Sequence, residues 1–276
     1  FYDMYPTDQL PADKLRGLPR HPWIDKTSAA MVGEEGWTDE EERRVAIAAY
    51  YGLTSYMDDN VGRIVAALKA SGQFDNTTII YSSDHGESLG TRNLWGKMTM
   101  YEESAKIPLI VAPAPVLAAT VPALCATPAS LLDVSETILD HFHAPLAGER
   151  PGRSLYELAA APVDPERAVF SEYHAIGAVS GAFMLRKGRW KLIHYVGFPP
   201  ELFDLEADPE EAVNRATDPD CAAALDEMQA ALRAICDPEA VDAQAFADQD
   251  ALIESYGGPE IAASIGAPSS TPPPKH

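Results

Sequence analysis

The chain has 276 residues, 46% of them hydrophobic and 23% charged, with a formal net charge of -21. Those proportions fit a soluble globular protein of one large domain, or one domain plus a smaller one, and the acidity argues against nucleic acid, whose phosphates demand basic patches. No apolar run approaches the roughly 18 residues of a membrane helix, Ile107–Val116 being short and broken by proline, so no membrane partner is expected.

Residues 1–36, rich in Pro, Gly and charge, read as an irregular surface-crossing segment, with His21 as a surface-loop residue. Thr38-Asp39-Glu40-Glu41 then forms a capping box, Thr38 as N-cap and Glu41 three residues on. It starts a helix that runs to about Ala70, with Ala46, Ala49, Tyr50, Leu53, Met57, Val61, Ile64, Val65 and Leu68 on one face. Ser71-Gly72 stops it, and Gly52 and Gly62 weaken it enough to allow a break. Thr77–Ser83 is β-branched and apolar, the profile of a strand buried on both faces, and helix followed by buried strand is the α/β repeat. A second such strand is Leu109–Ala112, ended by Pro113, and Leu131–Phe142 reads as a helix entered from Pro128-Ala129-Ser130. Gly148, Pro151 and Gly152 mark the end of this α/β part near residue 150.

Beyond that point the pattern changes. Ala168–Tyr173, Ala182–Arg186 and Trp190–Tyr195 are short strands, and Lys187-Gly188 signals a tight hairpin between the last two. A small antiparallel sheet with a helix at 219–236 is therefore expected over residues 151–236, with His194 structural within it. Residues 237–276 form an acidic, Pro-rich tail, and Ser269–His276 at its end reads as a disordered or docking segment. From Glu201 onward 17 Asp and Glu stand against Arg215, Arg233 and Lys275, most simply a solvated face. An anionic substrate would thus need a local metal or a positioned lysine. Cys125, Cys221 and Cys236 form neither a disulfide framework nor a zinc spacing, which favours the cytoplasm slightly over the periplasm.

The chemistry concentrates in Ser82-Ser83-Asp84-His85-Gly86-Glu87-Ser88-Leu89-Gly90 and Trp95-Gly96-Lys97. Asp84 and His85 sit where a buried strand ends, the edge at which open α/β sheets gather ligands. A carboxylate oxygen beside an imidazole nitrogen is a ready pair of metal ligands, and Gly86 permits close backbone approach. After a short loop, Lys97 can return to the same spot and bind an anionic oxygen. Taken alone the pair is weak evidence, since Asp84 could equally cap a helix and His85 pack inside.

The wider pattern adds to this. Tyr51–Gly62 with Leu68, Gly72-Gln73-Phe74-Asp75-Asn76-Thr77, Ser83–Glu87, Gly96-Lys97, Tyr101–Ser104 and Ile107–Ile110 together resemble the sulfatase family of the alkaline-phosphatase superfamily. Weaker echoes occur at Glu172-Tyr173 and at Glu201–Pro209, the latter similar to the sulfatase C-terminal subdomain. The resemblance implies an alkaline-phosphatase-like α/β sandwich with a small C-terminal antiparallel-sheet-plus-helix subdomain. It implies one divalent metal held partly by Asp84 and His85, and a sulfate contact from Lys97. His85, where many sulfatases carry Asn, looks like the choline-sulfatase and phosphonate-monoesterase branch and should favour Mn2+ over Ca2+ without excluding either. In choline-type relatives the region of Glu172 lies near the pocket, so the resemblance implies a substrate contact there, the carboxylate meeting a cationic leaving group.

The family's nucleophile, a formylglycine made in a Cys/Ser-x-Pro-x-Arg motif, finds no counterpart at the three cysteines. Cys236-Asp237-Pro238 imitates its start, but Ala240 stands where Arg is required. The expectation is that the nucleophile, two further Asp ligands and a sulfate-contacting His precede Phe1, in a truncated or separate N-terminal part. Residues 1–276 alone should then hydrolyse no sulfate ester. The complete protein is expected to be a sulfuric ester hydrolase acting on small anionic esters, and a homo-oligomer. The alternatives are a phosphonate monoester or phosphodiester hydrolase on the same scaffold and a non-catalytic assembly module.

Overall fold

The computed structural model describes residues 1–12, 14–30, 39–115, 124–144, 148, 150–175 and 177–265. Thr38 and Ser269–His276 lie outside them, so the expected cap at Thr38 and the expected disordered or docking segment at Ser269–His276 have no structural counterpart to compare. Asp39 is the residue that caps the long helix, its carboxylate accepting from the Glu41 amide at 2.8 Å.

The segment expected to be irregular contains a helix, α1 (Pro22–Ala30). His21 is not a surface residue: its ring lies 8% exposed, stacked on Tyr195 at 4.3 Å, and Nδ1 accepts from the Trp23 amide at 3.2 Å in the manner of a cap. Proline at the first helical position completes this start, and Trp23 and Ile24 are buried directly after it.

Helix α2 (Glu40–Ala70) runs 31 residues without a break, about 46 Å at 1.5 Å per residue. Its buried side carries Arg43, Ile47, Ala48 and Gly52, whereas Tyr50, Leu53 and Ile64 of the expected apolar face are 40%, 63% and 61% exposed. The N-terminal segment decides this difference. It runs along α2, Tyr5 Oη lies 2.6 Å from Ser55 Oγ, and a Cβ on Gly52 would stand 3.1 Å from the Tyr2 backbone.

Strands β1 (Ile79–Ser82) and β2 (Leu109–Ala112) pair antiparallel, Ile79 opposite Ala112 and Ser82 opposite Leu109. Neither is buried on both faces as expected; β1 is half-buried throughout and Ile110 of β2 is 58% exposed. Between them lies the one-turn helix α3 (Glu102–Ala105). Helix α4 (Leu131–His141) starts in the capping box of Ser130 and Asp133, and α5 (Leu155–Ala160) follows. The fully buried Asp133 also accepts from the Arg153 amide at 2.8 Å and from Arg167 at 2.6 Å, which pins both segments to α4.

Strands β3 (Ala168–Tyr173), β4 (Ala182–Lys187), β5 (Trp190–Tyr195) and β6 (Glu201–Asp204) form an antiparallel sheet in that order. The fourth strand adds to the three expected. Alternation along β4 divides the core. Ala182 and Met184 join Trp23, Ile24, Leu94, Met100 and Tyr101 on one face, while Phe183 and Leu185 meet Met228 and Leu232 of α6 (Ala222–Ile235) on the other. The expected tail begins as helices α7 (Pro238–Ser255) and α8 (Pro259–Ile265). Cys236-Asp237-Pro238, which imitates a modification motif, is a helix boundary: Asp237 caps α7 with Pro238 at its first turn. Among the described residues no helix is long and apolar enough to cross a membrane.

Candidate active site

Strand β1 ends at Ser82, and the chain then turns through Asp84 and His85 under backbone control. The Ser83 hydroxyl donates to His85 O at 2.7 Å, and the Gly86 amide donates to Ser104 O in α3 at 2.8 Å. A Cβ on Gly86 would collide with the carbonyl of Glu103, so only glycine permits this approach. The following loop closes on itself. Glu87 Oε1 accepts from the Gly96 amide at 2.6 Å and from the Leu89 amide at 3.1 Å, and the Ser88 amide donates to Gly96 O at 2.8 Å. Positive φ angles at Gly90 (87°) and Gly96 (77°) make the reversals.

The closure returns Lys97 to the strand end. Its Nζ lies 2.6 Å from His85 Nε2, and that nitrogen lies 3.5 Å from Asp84 Oδ2. Lys97 is exposed and the Asp84 side chain 81% exposed, so the three groups meet at an open surface. An ammonium can only donate, so Nε2 must be the accepting nitrogen and Nδ1 must carry the proton. That proton goes to Gly86 O, 2.8 Å from Nδ1. A backbone carbonyl on Nδ1–H, leaving the Nε2 lone pair outward, is the arrangement that orients metal-binding histidines. At Asp84 the largest influence, slight desolvation, pushes the carboxyl up. Backbone hydrogen bonds from the Asp84 and His85 amides and the charge of Lys97 are among the influences that outweigh it and hold the group below its ordinary value.

The donor set fits a divalent ion in kind but not in number. Among the described residues no cluster of three or more His, Cys, Asp or Glu could hold a metal, so Asp84 and His85 offer two positions of a shell. Glu172 is not brought to them. It pairs with Phe183, which faces α6, on the opposite side of the sheet from Leu94, Met100 and Tyr101; its carboxylate lies 3.7 Å from His174 Nε2. A cavity of about 590 Å³ beside β2, lined by Ile107, Val111, Leu131, Met184 and Arg186, is likewise separate from Asp84, His85 and Lys97.

Sequence reasoning missed the residues that brace this loop. Arg92, at φ 57°, lies over the Tyr101 ring at 4.1 Å and donates to Glu210 O and Glu211 O at 2.5 and 2.9 Å. Lys191, fully buried in β5, reaches Glu102 of α3 at 2.8 Å. The available signal was a lysine inside the apolar run of β5, a residue type almost never fully buried unless paired.

A mixed α/β unit with an appended antiparallel sheet, and an Asp-His pair meeting a lysine at a strand end, define an alkaline-phosphatase-like scaffold. Comparison with known proteins agrees. Residues 20–144 match the sulfatase family, and residues 90–237 match the family described as N-sulphoglucosamine sulphohydrolase, C-terminal. Choline-sulfatase of Rhizobium meliloti (strain 1021) is 38% identical over 225 residues, covering 79% of this chain and 43% of that protein. Phosphonate monoester hydrolase SpPMH from Silicibacter pomeroyi superposes with a TM-score of 0.67 at 30% identity, over 83% of this chain and 50% of that one. The phosphonate monoester hydrolase of Agrobacterium radiobacter gives a TM-score of 0.71 at 26% identity, over 84% and 53%. The chain belongs to the sulfatase family of hydrolases, within the alkaline-phosphatase superfamily, and corresponds to its C-terminal region. It spans about half the length of these relatives.

Proposed function

We propose that this chain supplies the metal-and-anion side of a sulfuric ester hydrolase active site. The observation that carries the reading is the convergence of Lys97 Nζ on His85 Nε2 at 2.6 Å, beside the Asp84 carboxylate. A divalent ion, Mn2+ or Ca2+, would supply charge stabilisation on the attacking and ester oxygens. Asp84 and His85 would hold it from one side, and the imidazole nitrogen tilts the preference toward Mn2+. An ion and the Lys97 ammonium cannot share the Nε2 lone pair, which leaves Lys97 to the anionic oxygens of the ester. Cys125, Cys221 and Cys236 all lack the pattern that yields formylglycine, so the nucleophile and the remaining ligands belong, on this reading, to polypeptide outside these 276 residues.

Titration of Mn2+ into the complete protein tests the metal site. Asp84→Ala and His85→Ala should each weaken binding by more than the roughly 10-fold minimum typical of losing an outer partner, and His85→Asn should shift preference toward Ca2+. Unchanged occupancy in both alanine variants by elemental analysis would remove them from the metal shell. The likeness to two phosphonate monoester hydrolases favours one second reading, a phosphonate monoester or phosphodiester hydrolase, since a phosphodiester carries the same single charge as a sulfate monoester. Ranking kcat/KM of the holoenzyme on p-nitrophenyl sulfate, bis-p-nitrophenyl phosphate and p-nitrophenyl phenylphosphonate decides between them.

A further inference from the structure

Lys191 and Glu211 are both fully buried, and their Nζ and Oε1 stand 2.7 Å apart. Replacing a buried ion pair by apolar groups is often neutral or stabilising, so such a pair is weak evidence for stability alone. Its neighbours give it another role. Glu211 Oε2 accepts from the amide of Glu102, the first residue of α3, at 2.7 Å, while Lys191 holds the Glu102 carboxylate at 2.8 Å. At the other end of that single turn, Ser104 O accepts from the Gly86 amide at 2.8 Å. Gly86 in turn follows His85 and accepts its Nδ1 proton. Three contiguous links therefore join two residues of the C-terminal sheet region to the strand-end pair.

We infer that Glu211, held in place by Lys191, is a positioning residue for Asp84 and His85, acting through α3. The inference rests on the site reading above for its functional meaning, though not for its structural test. The charge pair lies on β5 and in the turn after β6, so the appended sheet sets the geometry of the loop that bears the site.

Two double variants of the full chain separate positioning from bulk stability. Lys191→Met/Glu211→Ala removes both charges and the acceptor for the Glu102 amide. Lys191→Met/Glu211→Gln removes the same charges but keeps an oxygen for that amide. Amide hydrogen exchange should then quicken at Glu102 and Gly86 by about tenfold or more in the first variant, and return toward wild type in the second. Leu185 and Leu192, in the sheet core, should exchange alike in both. Equal exchange at Gly86 in the two variants, whether slow or fast, would overturn the inference. In the complete protein, affinity for Mn2+ should follow the same order, weaker in the alanine variant and restored in the glutamine variant. If Asp84→Ala leaves Mn2+ binding unchanged, the metal reading fails, while exchange at Gly86 still decides the positioning role.

Discussion

Lys97→Ala in the holoenzyme is expected to lower kcat/KM by about 2.7–4 kcal/mol, the cost typical of losing one oxyanion-stabilising donor. The lysine is placed by its backbone rather than by packing: Glu87 holds the preceding Gly96 amide at 2.6 Å, and the side chain itself is exposed. Removing it should therefore leave folding intact. Metal affinity should not fall, and loss of the ammonium that shares the His85 Nε2 lone pair should raise it if anything. Lys97→Arg should rescue only in part, because a planar fork does not replace a compact ammonium. A lysine that merely rests on the loop surface predicts a stability change within about 0.5 kcal/mol and no kinetic effect. Wild-type kinetics in Lys97→Ala, with metal bound, would defeat the assignment.

How much of this was legible follows from how local each signal is. The β-branched runs at Ile79–Ser82 and Leu109–Ala112, the acidic start of α2 and the turn at Gly188 each lie within a few residues, and the structure has all of them. The proximity of Lys97 to His85 follows from Gly90 and Gly96, whose left-handed backbone lets a twelve-residue excursion return. Helix α1 was hidden because its cap is a histidine, a residue without strong capping preference, and because proline before Trp23 reads as loop as readily as first turn. Asp237-Pro238, already set aside as a modification motif because Ala240 replaces the required Arg, is a helix start.

Other features could not be read because they depend on distant pairing. Which face of α2 is buried depends on the path of residues 1–5 beside Gly52, and nothing within the helix encodes that path. Glu172 shows the same limit: strand register puts it opposite Phe183, and so on the α6 side of the sheet. A one-residue shift would have turned it to the other face.

Lys191 gives the sharpest contrast between equal distances and unequal energies. Its Nζ lies 2.7 Å from Glu211, and Lys187 four residues earlier on the neighbouring strand lies 2.7 Å from both Glu166 and Glu227. Around Lys187 the partners are 77% and 65% exposed, so water already solvates them; Lys187→Met should cost within about 1 kcal/mol. Around Lys191 both side chains are 0% exposed. Burial already pushes the Glu211 carboxyl above its ordinary value, against the pull of Lys191. Lys191→Met alone strands that carboxyl in the interior and should destabilise the chain by about 3–5 kcal/mol. In urea this appears as a lower midpoint with unchanged slope. Adding Glu211→Gln to Lys191→Met should recover much of the loss, because the stranded charge goes with it. A Lys191→Met midpoint no lower than that of Lys187→Met would show that water reaches the pair, and that its short distance contributes no more than a surface contact.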